Sequence, residues 1–442
     1  MVSFLWTREN GGLKACRRKD TTMEKDSRIV EIRQPVSFEN LEGMVRSEVQ
    51  GWLQSILEEE VTEFLGRAKS ERKKDVDASP GYRNGHGKPR KLTLSIGTVE
   101  LRRPRVRGLE ERFESRVLPL FERRTPEVAE LIPELYLHGL AAGDFDMALR
   151  GLLGDDAPLS ASTVMRLKEK WQGELGAWKL RRLDDLEVVY VWADGVYVKA
   201  GLDKDKACVL VMIAGLSDGR KVLLAIESGY RESRESWASL LRSLRDRGLR
   251  APRAVVGDGA LGLWSAIGNV WPETDELRCW NHRIMNIIDR VKKCDQVTAR
   301  ELLRKIAYGE SRQEAEKGKL VLKGWCAEKG YTKASQMIDE DWERMVAFFD
   351  YPKEHWQHLR TTNPVESPFC ALRLRTDAAR RFKKAENAIA VVWKMLLVAE
   401  SRFRKLNAPE LMVDVYRGIE FKDGVRVEQV KEQVEDQERA AA

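Results

Sequence analysis

The sequence predicts an α/β fold built on a mixed five-stranded sheet, broken by an all-helical insertion and preceded by a mostly helical, basic region. Three observations carry this. Segments 187–200, 206–216 and 221–229 are β-rich and closely spaced, then strands at 253–260 and 276–281 alternate with helices at 235–249 and 261–271. The resulting order is βββαβαβ, a meander followed by crossovers. Residues 283–358 read as helix throughout, with Trp325, Trp342 and Trp356 among them. Ahead of the sheet, apolar residues recur at helical spacing from Leu41 through Met44, Val45, Val49, Trp52, Leu53, Ile56, Leu57 and Val61 to Phe64.

The elements follow in order. Residues 1–27 show no periodicity and are expected to be disordered, with Met23 a candidate start. After the first long helix, residues 67–107 hold 13 Lys/Arg against 4 Asp/Glu. Within them Leu92, Leu94 and Ile96 alternate, Gly97-Thr98 can turn, and Val99 and Leu101 alternate back. That is a basic β-hairpin with flexible Gly-rich flanks, suited to phosphate contact through Arg83, Arg90 and Arg103; a solvated charge run is the plain alternative. Residues 126–182 turn helical, and "DMALRGLLG" followed by "DDAPLSASTVMRLKEKW" outlines a helix-turn-helix capped at Ser160 or Ser162. Two packed helices of no special role fit the same pattern. If the outline holds, Ser162, Thr163 and Arg166 face the bases. From Pro364 a helix is expected to run to about Lys405, with six basic residues between 371 and 384. The tail from about 422 is charged and expected to fray.

Bulk properties narrow the function. Net charge is +7 and the pI about 8.9, which allows an anionic partner without requiring one. No apolar run of membrane-spanning length occurs, and "MVSFLW" is too short for a signal-peptide core. The six cysteines are scattered and read as reduced thiols of a cytoplasmic protein.

Two acids interrupt apolar strands. Asp194 breaks the run from Val188 to Ala193, and Asp258 ends Val255-Val256-Gly257. Asp194-Gly195 is also a strong hairpin-turn signal, and spacing alone favours the turn. In a βββαβαβ sheet, however, the first and fourth strands can run side by side in parallel. The two carboxylates then meet, and they repel unless a divalent cation holds them. A third acid from a later helix would complete a two-metal site suited to phosphodiester chemistry.

"YVWADGVYVKA", "VVGDGALGLWSAI", "RCWNH" and "LRTTNPVESPFCALRLRT" occur in that order, behind "GYRNG" and a basic hairpin. Over residues 36–420 the chain resembles the Mutator-type transposases of bacterial insertion sequences. The resemblance implies a ribonuclease-H-like core with an Asp-Asp-Glu triad and a helical insertion before the Glu. By motif match the triad is Asp194, Asp258 and Glu366, separated by 64 and 108 residues. It implies two Mg²⁺ ions, for which Mn²⁺ can substitute, held by these three carboxylates. The partners implied are DNA, as element terminal inverted repeats and target, and a second copy of the chain during synapsis, on the nucleoid. A resolving nuclease of the same fold would share the triad. The expected organisation is a disordered extension (1–35), a DNA-binding region (36–182), a catalytic core in two parts (183–282 and 359–420), the insertion (283–358) and the tail (421–442). Arg360, Arg373, Arg375, Arg380 and Arg381 flank Glu366 and are expected to hold the phosphate backbone.

Cys279 and His282 have the spacing of a zinc half-site, and His355-x-x-His358 could supply the other half. That rival reading is a non-catalytic, zinc-containing DNA-binding protein. The 73-residue gap from His282 to His355 is long for a compact finger. In the favoured reading Cys279 is a small buried hydrophobe, and His282 faces the catalytic cleft.

Overall fold

The structure is a computed structural model that describes residues 37–427, apart from 73–80, 141–143, 154–160, 201–205, 230–232, 260, 379–381 and 383. The expected N-terminal disorder, the cap at Ser160 and the tail beyond 427 fall outside the described residues, as do Arg380 and Arg381.

The chain opens with α1 (Leu41–Leu65), closed by Gly66 in the left-handed conformation. Its apolar stripe is buried from Leu53 onward, while Trp52 is 64% exposed. The burial follows from what comes next. β1 (Tyr82–His86), β2 (Arg90–Leu94), β3 (Gly97–Leu101) and β4 (Pro104–Arg107) form two antiparallel pairs, β2 with β3 and β1 with β4. Leu92, Val99 and Leu101 from this β unit pack on Leu53 and Leu57. The hairpin turns at Ser95-Ile96, because Leu94 pairs with Gly97, rather than at the expected Gly97-Thr98. The Gly-rich flanks are not loose: they pair as β1 and β4.

Three helices follow: α2 (Pro126–Leu137), α3 (Phe145–Leu153) and α4 (Ala161–Lys179). The last two are the helices of the expected helix-turn-helix, with the link between them outside the described residues. Val164, Trp171 and Leu175 of α4 join the core cluster that lies on the main sheet.

That sheet contains β5 (Val188–Lys199), β6 (Lys206–Leu216), β7 (Lys221–Gly229), β8 (Ala254–Gly257) and β9 (Asp275–Arg278), in the spatial order β7-β6-β5-β8-β9. β5, β6 and β7 form an antiparallel meander, and β8 and β9 run parallel to β5. The crossovers are α5 (Arg234–Asp246), capped by the Ser233 hydroxyl, and α6 (Leu261–Val270). The order βββαβαβ and the five strands are as expected.

Successive strand residues point to opposite faces. On β5, Val191 and Ala193 face the cluster formed with α5 and α6, including Trp237, Leu241 and Trp264. Tyr190, Trp192, Val196 and Val198 face the other cluster. There the chain stacks its helical block: α7 (Trp280–Ile288), α8 (Gln296–Ala307), α9 (Arg312–Lys329), α10 (Thr332–Glu340), α11 (Trp342–Val346) and α12 (Trp356–Leu359). The block is tied to the central strand by hydrogen bonds from Trp192 Nε1 to the His358 carbonyl and between Tyr190 Oη and His355 Nδ1, both 2.8 Å.

The chain then returns through α13 (Asn363–Ala378), which packs on β5, and α14 (Ala385–Glu400), which packs on β7 and α4. One helix was expected here. The chain breaks instead so that Phe382 can bridge to Ala200 at the end of β5. α15 (Pro409–Arg417) follows, then a hairpin of β10 (Phe421–Lys422) and β11 (Val425–Arg426). Its turn is Asp423-Gly424, both at positive φ, so the expected fraying does not begin at 422. Among the described residues no helix is long and apolar enough to cross a membrane.

Candidate active site

Face parity places the acids. Asp194 follows Tyr190 and Trp192 at two-residue spacing, so it lies on the sheet face covered by α13. β5 continues through Asp194-Gly195, with Asp194 opposite Val211 on β6. The hairpin-turn reading of Asp194-Gly195 is therefore corrected: Val196 to Lys199 continue the same strand against β6, leaving no turn there. On β8, Ala254 and Val256 face the same cluster as Tyr190 and Trp192, and Asp258 is the next residue of that parity. Ala193 pairs in parallel with Gly257, so Asp194 and Asp258 are neighbours one residue further on.

Gly259 has φ +99°, and a Cβ there would lie 0.4 Å from Nη1 of Arg278. Only glycine lets the chain leave β8 across that buried guanidinium. Arg278 lies within 3.9 Å of Asp341 and also feels the charge of Asp258.

Glu366 sits in the first turn of α13. Its amide donates to the Thr362 carbonyl at 3.0 Å, and its Oε1 accepts a hydrogen bond from the Thr362 hydroxyl. The partial positive charge of a helix N-terminus favours a carboxylate there. Burial, joined by the negative charges of Asp258 and Glu366, pushes the Asp194 carboxyl up to about 7; the Gly195 amide, 2.8 Å from Oδ1, and His282 oppose this. Asp194 on β5 thus feels the carboxyls of Asp258, one residue past β8, and of Glu366 on α13.

β9 ends at Arg278, three residues short of the expected strand, and Cys279 is the N-cap of α7. The Cys279 thiol is fully buried, as expected, but it is not inert. Its Sγ accepts from the amide of Thr362 at 3.4 Å and lies 3.2 Å from the Thr362 hydroxyl, whose one proton it shares with Glu366 Oε1. Burial pushes this thiol up, yet hydrogen bonds from His282 and Thr362 outweigh it and the net shift is down. His282, one turn into α7, is half-exposed, with Nδ1 3.7 Å from Glu366 Oε1. Its hydrogen bond to Cys279, then the charges of Cys279, Glu366 and Asp258, raise it to about 9 against the effect of burial. At neutral pH His282 is a cation facing the acids.

The four-ligand zinc set is corrected. His355 uses both ring nitrogens, toward Tyr190 Oη at 2.8 Å and the Ala408 carbonyl at 3.2 Å. His358 Nε2 accepts from the Asn407 amide at 3.3 Å. Cys279 and His282 meet Glu366 instead.

The expected phosphate-binding arginines divide. Arg83 is held by Glu58 and Thr62, Arg90 by the carbonyls of Pro119 and Glu122, and Arg103 by the carbonyl of Phe113. These three brace the β unit on α1 and the following loop. The exposed cations there include Lys88, Arg102, Arg105 and Arg107. Arg375 is 2% exposed, its guanidinium 3.8 Å above the Tyr136 ring, so it cannot reach a phosphate backbone. Arg360 is sandwiched by Tyr308, Phe348 and Trp356. Arg166 and Arg373 are exposed.

Sequence reasoning missed Arg278; Thr362 belongs to Arg360-Thr361-Thr362-Asn363, the stretch just before Glu366 that the sequence itself offers for positioning Glu366 or the DNA, and its hydroxyl bonds Glu366. Thr362 stands four residues before Glu366, one helical turn, and that spacing was readable. Arg278, a charge ending an apolar parallel strand, was the same kind of signal as Asp258.

The chain as a whole matches known proteins. The family model described as "Transposase, Mutator family" covers residues 21–405. The transposase for insertion sequence element IS6120 of Mycolicibacterium smegmatis is 42% identical over 299 residues, 67% of this chain and 92% of that protein. The transposase for IST2 of Acidithiobacillus ferrooxidans is 36% identical over 281 residues, 63% of this chain and 94% of that protein. The transposase for ISRM5 of Rhizobium meliloti is 28% identical over 377 residues, 84% of this chain and 91% of that protein. With the family model spanning most of its length, the chain belongs to the Mutator family of transposases.

Proposed function

We propose that this chain is a DNA transposase that cleaves and joins strands through Asp194, Asp258 and Glu366 on a ribonuclease-H-like core. The observation that carries the reading is the convergence of three carboxyls, from β5, the residue after β8 and α13, with Asp194 raised to about 7 first by burial and then by the charges of Asp258 and Glu366. Crowded carboxylates of this kind fit divalent cations with hard oxygen ligands. Asp194, Asp258 and Glu366 would hold Mg²⁺ or Mn²⁺. When bound, such ions neutralise the carboxylates and polarise a phosphodiester oxygen.

The chain's own residues do the rest. Glu366 is fixed by Thr362 at a helix N-terminus, so its direction is set before substrate arrives. His282, protonated at neutral pH, is positioned to donate to a phosphate oxygen beside the acids. Water attacks phosphorus and the P–O3′ bond breaks, freeing a 3′-OH at the element end. That hydroxyl then attacks a target phosphodiester and displaces the target's own 3′ oxygen, so no covalent enzyme intermediate forms. Lys88, Arg102, Arg105 and Arg107 supply phosphate contacts that hold the terminal repeats. Two ends must be joined together, which calls for at least two copies of the chain during reaction.

The test is incubation of purified protein and Mg²⁺ with labelled DNA from the ends of its own element. Nicks at the element's 3′ ends and joined products are expected. Nicks without joining would favour the resolving-nuclease reading, and neither product would overturn both.

A further inference from the structure

The Cys279-x-x-His282 half-site has a third partner that its sequence spacing did not suggest. One ligand atom from each of Cys279, His282 and Glu366 lies within 4.8 Å of the other two. A sulfur, an imidazole nitrogen and a carboxylate oxygen form a borderline-soft donor set, which suits Zn²⁺ far better than Mg²⁺. We propose that Cys279, His282 and Glu366 form an inhibitory zinc site, in which Zn²⁺ captures Glu366 and blocks the Mg²⁺ chemistry of the Asp-Asp-Glu set.

The geometry supports capture. The Thr362 hydroxyl lies 3.2 Å from Cys279 Sγ and 3.5 Å from His282 Nδ1, and it donates to Glu366 Oε1. The three donors therefore converge on one point, now held by a hydroxyl that rotation about one side-chain bond can move aside. Zinc bonds of about 2.0–2.3 Å place tetrahedral donors roughly 3.3–3.8 Å apart, so the trio must close by about 1 Å. Access is from solvent, since the side chains of His282 and Glu366 are 37% and 35% exposed, with Cys279 as the floor. Three protein ligands leave a fourth position for water.

Glu366 bound to zinc is a poorer ligand for a second cation. The zinc charge next to Asp194 and Asp258 also repels one. Because nitrogen and sulfur sites hold zinc much more tightly than magnesium, a small amount of zinc can compete with a large excess of Mg²⁺. The inhibition rests on the Asp-Asp-Glu reading; the zinc binding does not.

The experiment uses the full chain, stripped of metal and titrated with Co²⁺. The expected result is one Co²⁺ per chain with a near-ultraviolet sulfur-to-cobalt band that Zn²⁺ displaces. Cys279→Ser should abolish that band, and Glu366→Gln should weaken Co²⁺ binding at least tenfold. Cys294→Ser and Cys370→Ser, at exposed thiols, should leave it intact. In Mg²⁺-dependent DNA cleavage, zinc should inhibit the wild type. The half-inhibitory zinc concentration should rise at least tenfold in Cys279→Ser, measured against that variant's own zinc-free rate. The cobalt spectrum needs no activity, so a poorly cleaving variant still reports. No sulfur band in the wild type, or one that survives Cys279→Ser, overturns the site. A band with zinc-insensitive cleavage overturns the inhibition. If the wild type fails to cleave in Mg²⁺ while the cobalt band appears, the Asp-Asp-Glu reading has failed and the zinc site stands.

Discussion

At the residue scale the site is a set of charges that constrain one another. Asp194 is raised to about 7 in the ion-free protein, first by burial and then by Asp258 and Glu366. The sign of the consequence is definite. A carboxyl whose folded pKa exceeds its unfolded value contributes stability below the unfolded value, and that contribution is lost as pH rises through the folded one. Ion-free protein should therefore lose stability between about pH 4 and pH 7. Asp194→Asn removes the dependence, so the stability gap between variant and wild type should widen across that window by about 2–4 kcal/mol. Denaturant titrations at several pH values check this, and Mg²⁺ should close the gap in the wild type alone. A gap that does not vary with pH would mean that Asp194 is not crowded. Asp194 and Asp258 were legible because charges that interrupt apolar strands are conspicuous. The state of Cys279 was only partly legible: His282, the larger lowering partner, is three residues away, but Thr362 lies 83 residues along the chain.

At the element scale, α13 carries two arginines with opposite duties. Arg373 is exposed, and Arg375 is buried over the Tyr136 ring with Nη1 3.5 Å from the Leu140 carbonyl. Arg375→Ala should lower stability by about 1–3 kcal/mol, through the lost cation–π contact and packing. Arg373→Ala should leave the melting temperature unchanged and weaken DNA binding, with the salt dependence shallower by about one counterion. Thermal melts and binding across a salt series separate the two, and the reverse pattern would contradict the burial. The same division holds in the β unit. Arg105→Ala should weaken binding to any DNA sequence, whereas Arg83→Ala should lower the melting temperature by releasing Glu58 and Thr62. Composition located the basic segment correctly. It could not tell bracing arginines from free ones, because Arg83, Arg90 and Arg103 are held by residues 10 to 32 positions away, several of them backbone carbonyls.

At the scale of the whole molecule, the strand order, the helical block and the helix bearing Glu366 could all be read from hydrophobic periodicity. The boundary of the N-terminal region could not. α4 has the outline of a recognition helix, yet Trp171 and Leu175 pack into the sheet's core, and Gln172 and Glu174 bond Asn387 and Lys394 of α14. A fragment of residues 37–182 should therefore expose that face and self-associate, while one ending near 125 should stay monomeric. Light scattering checks this, and a monomeric 37–182 fragment with a fully formed α4 would contradict it. The same long-range closure makes the candidate active site. Asp194, Asp258 and Glu366 stand 64 and 108 residues apart in the chain, and the β5–β8 register with α13 laid across β5 brings them together. The most direct test measures cleavage and joining of labelled terminal DNA in Mg²⁺ by Asp194→Ala, Asp258→Ala and Glu366→Ala, with binding of the same DNA followed in parallel. Each substitution should reduce both reactions by about a thousandfold or more while binding stays within a few fold, since no ligand of a shared metal site can be spared. Wild-type rates in any one of the three would contradict the claim that they act as a single site.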